Sequence, residues 1–201
     1  MHLKPGMTAF NHRTNSFWDV LSVGRDNSAY DFEVRITCQA HGEPDTRLHV
    51  HTNCVEEFEI LEGRAQYVLG KSTEVAKAGD TIVFPSGVPH QHPWADGSAR
   101  MIYVHKGRYS DNSLKNTNVI WGATLTTFGL AKDPSQLDWN GMPYSKLQTA
   151  AIARSFGMHG AYDCIMPIFL GRIVNATVGV FANLMGYEGV IDAEIAKARK
   201  L

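Results

Sequence analysis

From residue 32 the chain alternates apolar and polar positions with a period of two. Phe32, Val34 and Ile36 alternate with Glu33, Arg35 and Thr37, as a strand with one buried face requires, and the predicted strand covers residues 32–40. The theme recurs in short pieces. Residues 57–61 and 65–69 flank Glu62-Gly63-Arg64, which reads as a hairpin turn with glycine supplying positive φ. Residues 75–78 and 81–84 repeat strand, turn and strand around Gly79-Asp80, and residues 100–106 make a last strand. Short strands punctuated by Gly/Pro turns, without a helical period, predict a sandwich or closed barrel over residues 1–108.

The pattern changes after Gly107. Residues 108–118 are polar and read as a linker, and residues 119–131 read as a helix that stops before Asp133-Pro134. Asn140-Gly141-Met142-Pro143 reads as a loop, with Pro143 in the first turn of a helix running to about Phe156. The predicted division is a barrel at 1–108, a linker with a short helix at 109–142, and a C-terminal helical extension at 143–201. The longest apolar stretch, 165–185, has about the length of a membrane span, but Arg172 would sit near its centre at a cost of about 2.5–3.5 kcal/mol. On a helix beginning near Met166, with Pro167 in its first turn, Arg172, Asn175, Gly179, Asn183 and Gly186 fall along one narrow polar stripe. The expectation is an amphipathic helix buried against the barrel or a second subunit, ahead of peripheral membrane contact and of a true span.

Composition narrows the function classes. The 201 residues suit one good-sized domain, or a small one with an extension, and a net charge of -1 makes no electrostatic case for nucleic acid. Three scattered cysteines, Cys38, Cys54 and Cys164, imply no disulfide framework. Together with an N-terminus that lacks an apolar signal core, they predict a cytoplasmic protein. Cys54 sits among candidate ligands, but its parity opposes that of His51, so it reads as a small packed thiol.

The candidate chemistry lies in His49-Val50-His51 and in Glu56, five positions further on. On a strand, His49 and His51 share one face. Two imidazoles and a carboxylate on one concave face are what a divalent transition metal asks for. Taken singly, a strand histidine is more often a surface or satisfied core residue, and Glu56 is one of three acids with Glu57 and Glu59. A second segment supplies a partner: a strand from Gly79 closes in a Pro/Gly turn, with His90 and His92 just beyond.

Together the two stretches resemble the paired motifs of the cupin superfamily. His49, His51, Glu56 and Gly63 fall in register with the first motif, while Gly42 lies one residue further upstream than the pattern has it. Gly79, Pro85, Gly87 and His90 match the second motif, and Trp94 stands where that pattern has Asn. The resemblance implies a mainly β fold, a cupin jelly-roll β-barrel followed by the α-helical extension. By the same resemblance His49, His51, Glu56 and His90 are the metal ligands, around one divalent ion inside the barrel. Iron(II) is favoured, and zinc, manganese, nickel, cobalt or copper also suit the donor set.

The resemblance is to a single-domain, quercetin-dioxygenase-like cupin, and such a centre with an open position suits an oxygenase acting on a small apolar enol, phenol or diketone. A redox-neutral isomerase, cyclase or lyase is the alternative reading, and a non-catalytic small-molecule binder the third. Glu56 is a candidate base, His92 shares the parity of His90 and is a candidate base or hydrogen-bond partner, and Tyr103 is a candidate proton donor. Equally, His92 reads as a solvent histidine at the rim and Tyr103 as a core residue. Phe58 and Ile60 share the parity of Glu56 and should line the barrel, and Phe84 and Trp94 are an aromatic wall or core. A homodimer is expected, because exposed strand edges need covering.

Overall fold

The computed structural model describes residues 3–26, 28–40, 47–97, 99–111, 113–133, 135, 137 and 142–199. In chain order the strands are β1 (Thr8–Asn11), β2 (Ser16–Val23), β3 (Phe32–Cys38), β4 (His49–His51), β5 (Cys54–Glu62), β6 (Arg64–Leu69), β7 (Ser72–Lys77), β8 (Thr81–Phe84), β9 (His90–Ala95), β10 (Met101–Tyr109) and β11 (Ala161–Asp163). The helices are α1 (Ser113–Leu130), α2 (Lys146–Gly157), α3 (Ile168–Leu184) and α4 (Asp192–Ala198). One antiparallel sheet runs β1-β2-β3-β10-β5-β8 and the facing one β11-β4-β9-β6-β7. This is a two-layered antiparallel jelly roll followed by helices, as the resemblance implied. Of the sandwich or closed barrel expected from the strand pattern, the layered form is found: no ladder joins the two sheets among the described residues. Strands β4, β8 and β11 span only three or four residues, too few to carry hydrogen bonds around the corner between layers.

Strand β5 shows how the sequence sets the layer. Cys54, Glu56, Phe58 and Ile60 are buried, while Val55, Glu57 and Glu59 between them are partly exposed. The inward set meets Phe84, Tyr67 and Ala65 from β8 and β6, so the two pleated faces share one core. Gly63 turns the chain at the end of β5 with φ 85°, and a β-carbon there would lie 2.6 Å from the Arg100 carbonyl oxygen. Met101, Tyr103 and His105 form the inward face of β10, an orientation that parity alone left open.

Helix α1 starts at Ser113, so the polar segment expected as linker supplies its first turns. Its apolar residues Ile120, Trp121, Leu125 and Phe128 join the core of the sheets. Trp121 and Phe128 pack on Trp18 of β2 at ring distances of 5.5 and 4.9 Å. The threonines of this buried helix are satisfied locally: Thr124 and Thr126 donate to the Ile120 and Gly122 carbonyls, each at 2.9 Å. Helix α4 packs against α1 at Gly129, where a β-carbon would collide with the Glu194 backbone.

Two helix starts differ from expectation. Ser145 caps α2 by accepting from the Gln148 N–H, which places Pro143 outside the helix in a short bridge with Leu137. Pro167 is the N-cap of α3 rather than part of its first turn. The loop residues Asn140 and Gly141, and Pro134 after α1, lie outside the described residues.

The packing of α3 corrects a further expectation. Its buried residues are Gly179 and Ala182, on the small-residue side that meets α2, and the Arg154 guanidinium donates to the Asn175 carbonyl at 3.0 Å. Phe169, Ile173, Phe181 and Leu184 are exposed, so the apolar face is not buried against the barrel. Close helix–helix approach needs small residues, and the stripe that carries Gly179 supplies them. No helix among the described residues is long and apolar enough to cross a membrane.

Candidate metal centre

Strand β4 lies beside β9, with His49 directly opposite His90. The turn of residues 85–88 holds that pairing in place. Gly87, at φ 81°, donates its N–H to the His51 carbonyl at 2.7 Å, and the Ser86 hydroxyl adds a contact to the same oxygen at 3.3 Å. Four imidazoles, His49, His51, His90 and His92, thus stand on one sheet. The other sheet brings Glu56 on β5 and His105 on β10.

The donor atoms of His49, His51, Glu56, His90 and His92 all lie within 4.8 Å of one another. His90 Nε2 is 2.9 Å from Glu56 Oε2, and His51 Nε2 is 3.5 Å from the same oxygen. His92 Nε2 is 3.1 Å from His49 Nε2 and 3.5 Å from Glu56 Oε1. Donors about 2.1 Å from a shared ion sit roughly 3 Å apart when they are neighbours. The observed spacings fit that range.

Two of the rings have their tautomer set by the backbone. His90 Nδ1 lies 2.8 Å from the Val88 carbonyl and His49 Nδ1 lies 3.0 Å from the Arg47 carbonyl, where only an N–H is favourable. In the neutral rings this leaves the Nε2 lone pairs directed into the site. His90 Nε2 and Glu56 Oε2 are both buried without a hydrogen-bond partner. Two lone pairs facing each other at 2.9 Å are repulsive without a cation between them.

Charge points the same way. Burial holds His51 down to about 4 and, with the neighbouring rings, holds His49 well below the usual histidine value. Burial also lowers His105, against the pull of Glu56. Burial pushes the Glu56 carboxyl up, but His51, His92 and His105 around it outweigh that and hold it well below the usual carboxylate range. The site thus buries one carboxylate beside His49, His51 and His105, whose imidazoles burial keeps neutral, the ligand forms that a metal ion binds. A divalent ion would supply the missing positive charge. The residues fit a metal.

A cavity of about 190 Å³ opens over this cluster. His49, His51, Glu56, His92 and His105 form its polar end, and Trp18, Trp121, Phe128 and Phe156 are among its walls. Two features escaped sequence reasoning. His105, placed on β10 with its facing undecided, donates from Nε2 to Glu56 Oε1 at 2.8 Å. Its parity with Tyr103 together with the β5–β10 pairing would have found it. The walls from α1, α2 and α3 left no signal, because nothing local in those helices says that they cover the sheets.

The remaining candidates sit elsewhere. Tyr103 is buried between Ile36 and Ile60 of the neighbouring strands, its ring 5.9 Å from Phe58, and faces a second cavity of about 30 Å³ shared with Trp94. Phe84 packs behind His90 at 4.6 Å. Cys54 is a buried thiol raised by burial and lies outside the donor group. It does share the inward face of Glu56, because the chain turns between β4 and β5 and parity cannot be counted across that break. Gly42 of the first motif lies outside the described residues.

Residues 35–108, which carry both histidine motifs, match the cupin domain family. That segment is a cupin domain within the longer chain. Among solved structures the cupin resembles a protein described as a predicted oxalate decarboxylase from Thermotoga maritima, at 17% identity and TM-score 0.44, covering 52% of this chain and 92% of that one. It also resembles a cupin-2 domain protein from Rhodospirillum rubrum at 17% identity and TM-score 0.42, covering 55% and 74%. The cupin domain of Schizosaccharomyces pombe Cnp3 follows at 14% and 0.40, covering 51% and 69%. At these values none of them bears on what this cupin binds or does. No curated protein sequence matches it.

Proposed function

We propose that this cupin is a metal-dependent oxygenase acting on a small, largely apolar enol, phenol or diketone. One observation carries the reading: a buried His/Glu donor group ends a cavity whose walls are mostly aromatic and aliphatic, with Asn11, Arg13, Arg47, Asp163 and Asn175 also among its lining. A divalent first-row ion, iron(II) in this proposal, supplies Lewis acidity and access to dioxygen when bound by His49, His51, Glu56 and His90. The protein does the rest. Trp18, Trp121, Phe128 and Phe156 exclude water and favour a flat apolar substrate. Glu56, held at Oε1 by the His105 N–H at 2.8 Å, would take the acidic proton of an enol or phenol at Oε2 only when that oxygen is displaced from the ion. In a dioxygenation both oxygen atoms enter the product and the substrate supplies all the electrons, so no external reductant is consumed.

The test pairs metal loading with an oxygen electrode. Metal-loaded protein is expected to consume oxygen with members of a phenol and enol panel, and His51→Ala/His90→Ala to abolish it. Turnover under strict anaerobiosis would assign redox-neutral isomerase, cyclase or lyase chemistry instead. Tight binding with no turnover in either atmosphere would assign a binding role.

A further inference from the structure

We propose that His92 is a fifth protein ligand, so that the ion keeps a single open position and takes its substrate through one oxygen. The inference rests on the metal reading above and goes beyond the four-ligand set. Its first support is the tautomer of His49. With Nδ1 donating to the Arg47 carbonyl at 3.0 Å, His49 presents a lone pair at Nε2, and His92 Nε2 faces that atom at 3.1 Å. The distance matches two neighbouring ligands of one ion. The second support is convergence. Five donors around an ion at about 2.1 Å spread over no more than roughly 4.2 Å, and the five here lie within 4.8 Å of one another. A contraction of a few tenths of an ångström closes the shell.

The third support concerns how many oxygens Glu56 contributes. Oε1 is occupied by the His105 N–H at 2.8 Å, while Oε2 faces His90 and His51. His105 is held there by Phe58, stacked at 4.4 Å, and by the edge contact with Phe32 at 5.0 Å. Glu56 is therefore a one-oxygen ligand. Four imidazole nitrogens and one carboxylate oxygen leave a six-coordinate ion one place. A monodentate phenolate or enolate fits that place. A chelating diketone does not, unless a protein ligand leaves.

The experiment uses the full chain saturated with manganese(II), with water-proton relaxation counting the exchangeable waters on the ion. The wild type is expected to show one. His92→Ala, and the bulkier His92→Gln as a guard against a folding defect, should show two, so that the relaxation enhancement about doubles. Acetohydroxamate, a chelating probe, should bind these variants at least tenfold more tightly than wild type, while azide, which needs one position, changes little. Weaker manganese binding by about 10- to 100-fold should accompany the loss. Two waters in the wild type, with counts and acetohydroxamate affinity unchanged by either substitution, would overturn the proposal and leave His92 as a hydrogen-bond partner of His49. A wild-type chain that takes up no ion would overturn the metal reading itself, a result distinct from the first.

Discussion

Strand β5 and helix α3 bury their side chains by different rules. In β5 every second residue from Cys54 to Ile60 is buried, and that inward set includes both the apolar core and the charged Glu56. In α3 the buried residues are Gly179 and Ala182, and the large apolar residues Phe169, Ile173 and Phe181 are exposed. A strand is tied on both sides to neighbours that share its pleat, so parity fixes which side chains go inward. A helix is free to rotate about its axis, and the partner that offers the closest fit decides its buried face. For α3 that partner is α2, and the small residues make the fit.

The largest expected break in this contrast is Phe58→Ala. Phe58 is fully buried and stacks on His105, so the substitution should cost about 3–5 kcal/mol in denaturant unfolding and loosen the His105–Glu56 contact. A smaller loss is expected at the α1–α4 contact. Gly129→Ala forces the Glu194 backbone aside, at about 1–3 kcal/mol, read from the same unfolding curves. Phe169→Ser on α3 should stay within about 0.5 kcal/mol, because its side chain is exposed. A cost near that of Phe58→Ala would show that this face is covered in solution.

Much of the sheet was legible in the chain because strand parity and glycine turns are local signals. Phe58, Ile60 and Glu56 share a face in sequence and in space, and Gly63 and Gly87 stand where positive φ is required. The histidine spacing is likewise local, and it brings His49, His51, Glu56 and His90 into one group with His92. What was not legible depends on distant partners. The facing of His105 is decided by the register of β10 against β5, and the aromatic lid by how α1 lies over β2. Pro143 looked like a helix start until Ser145 proved to be the better cap, and the apolar stripe of α3 looked like a core face.

The smallest expected effect sharpens the comparison at the α1–α2 contact. His159, just past α2, holds a hydrogen bond of 2.6 Å with Asn116 of α1. Burial and nearby Lys115 hold its imidazole below the usual value of 6.5. As pH falls below 6.5 the unfolded chain takes up the proton first, so this contribution to stability is full above that value and declines below it. A thermal melt followed by helical circular dichroism should shift downward between pH 7 and pH 5, with His49, His51 and His105 contributing as well, and His159→Gln should shrink the shift slightly.

The His/Glu group between the two sheets is expected to hold a metal ion. Elemental analysis of freshly purified wild type beside His51→Ala/His90→Ala decides this. Wild type should carry about one transition-metal ion per chain, and the double variant background levels. A folded double variant that retains the wild-type metal content, or a wild type that holds none after incubation with iron(II), would contradict it.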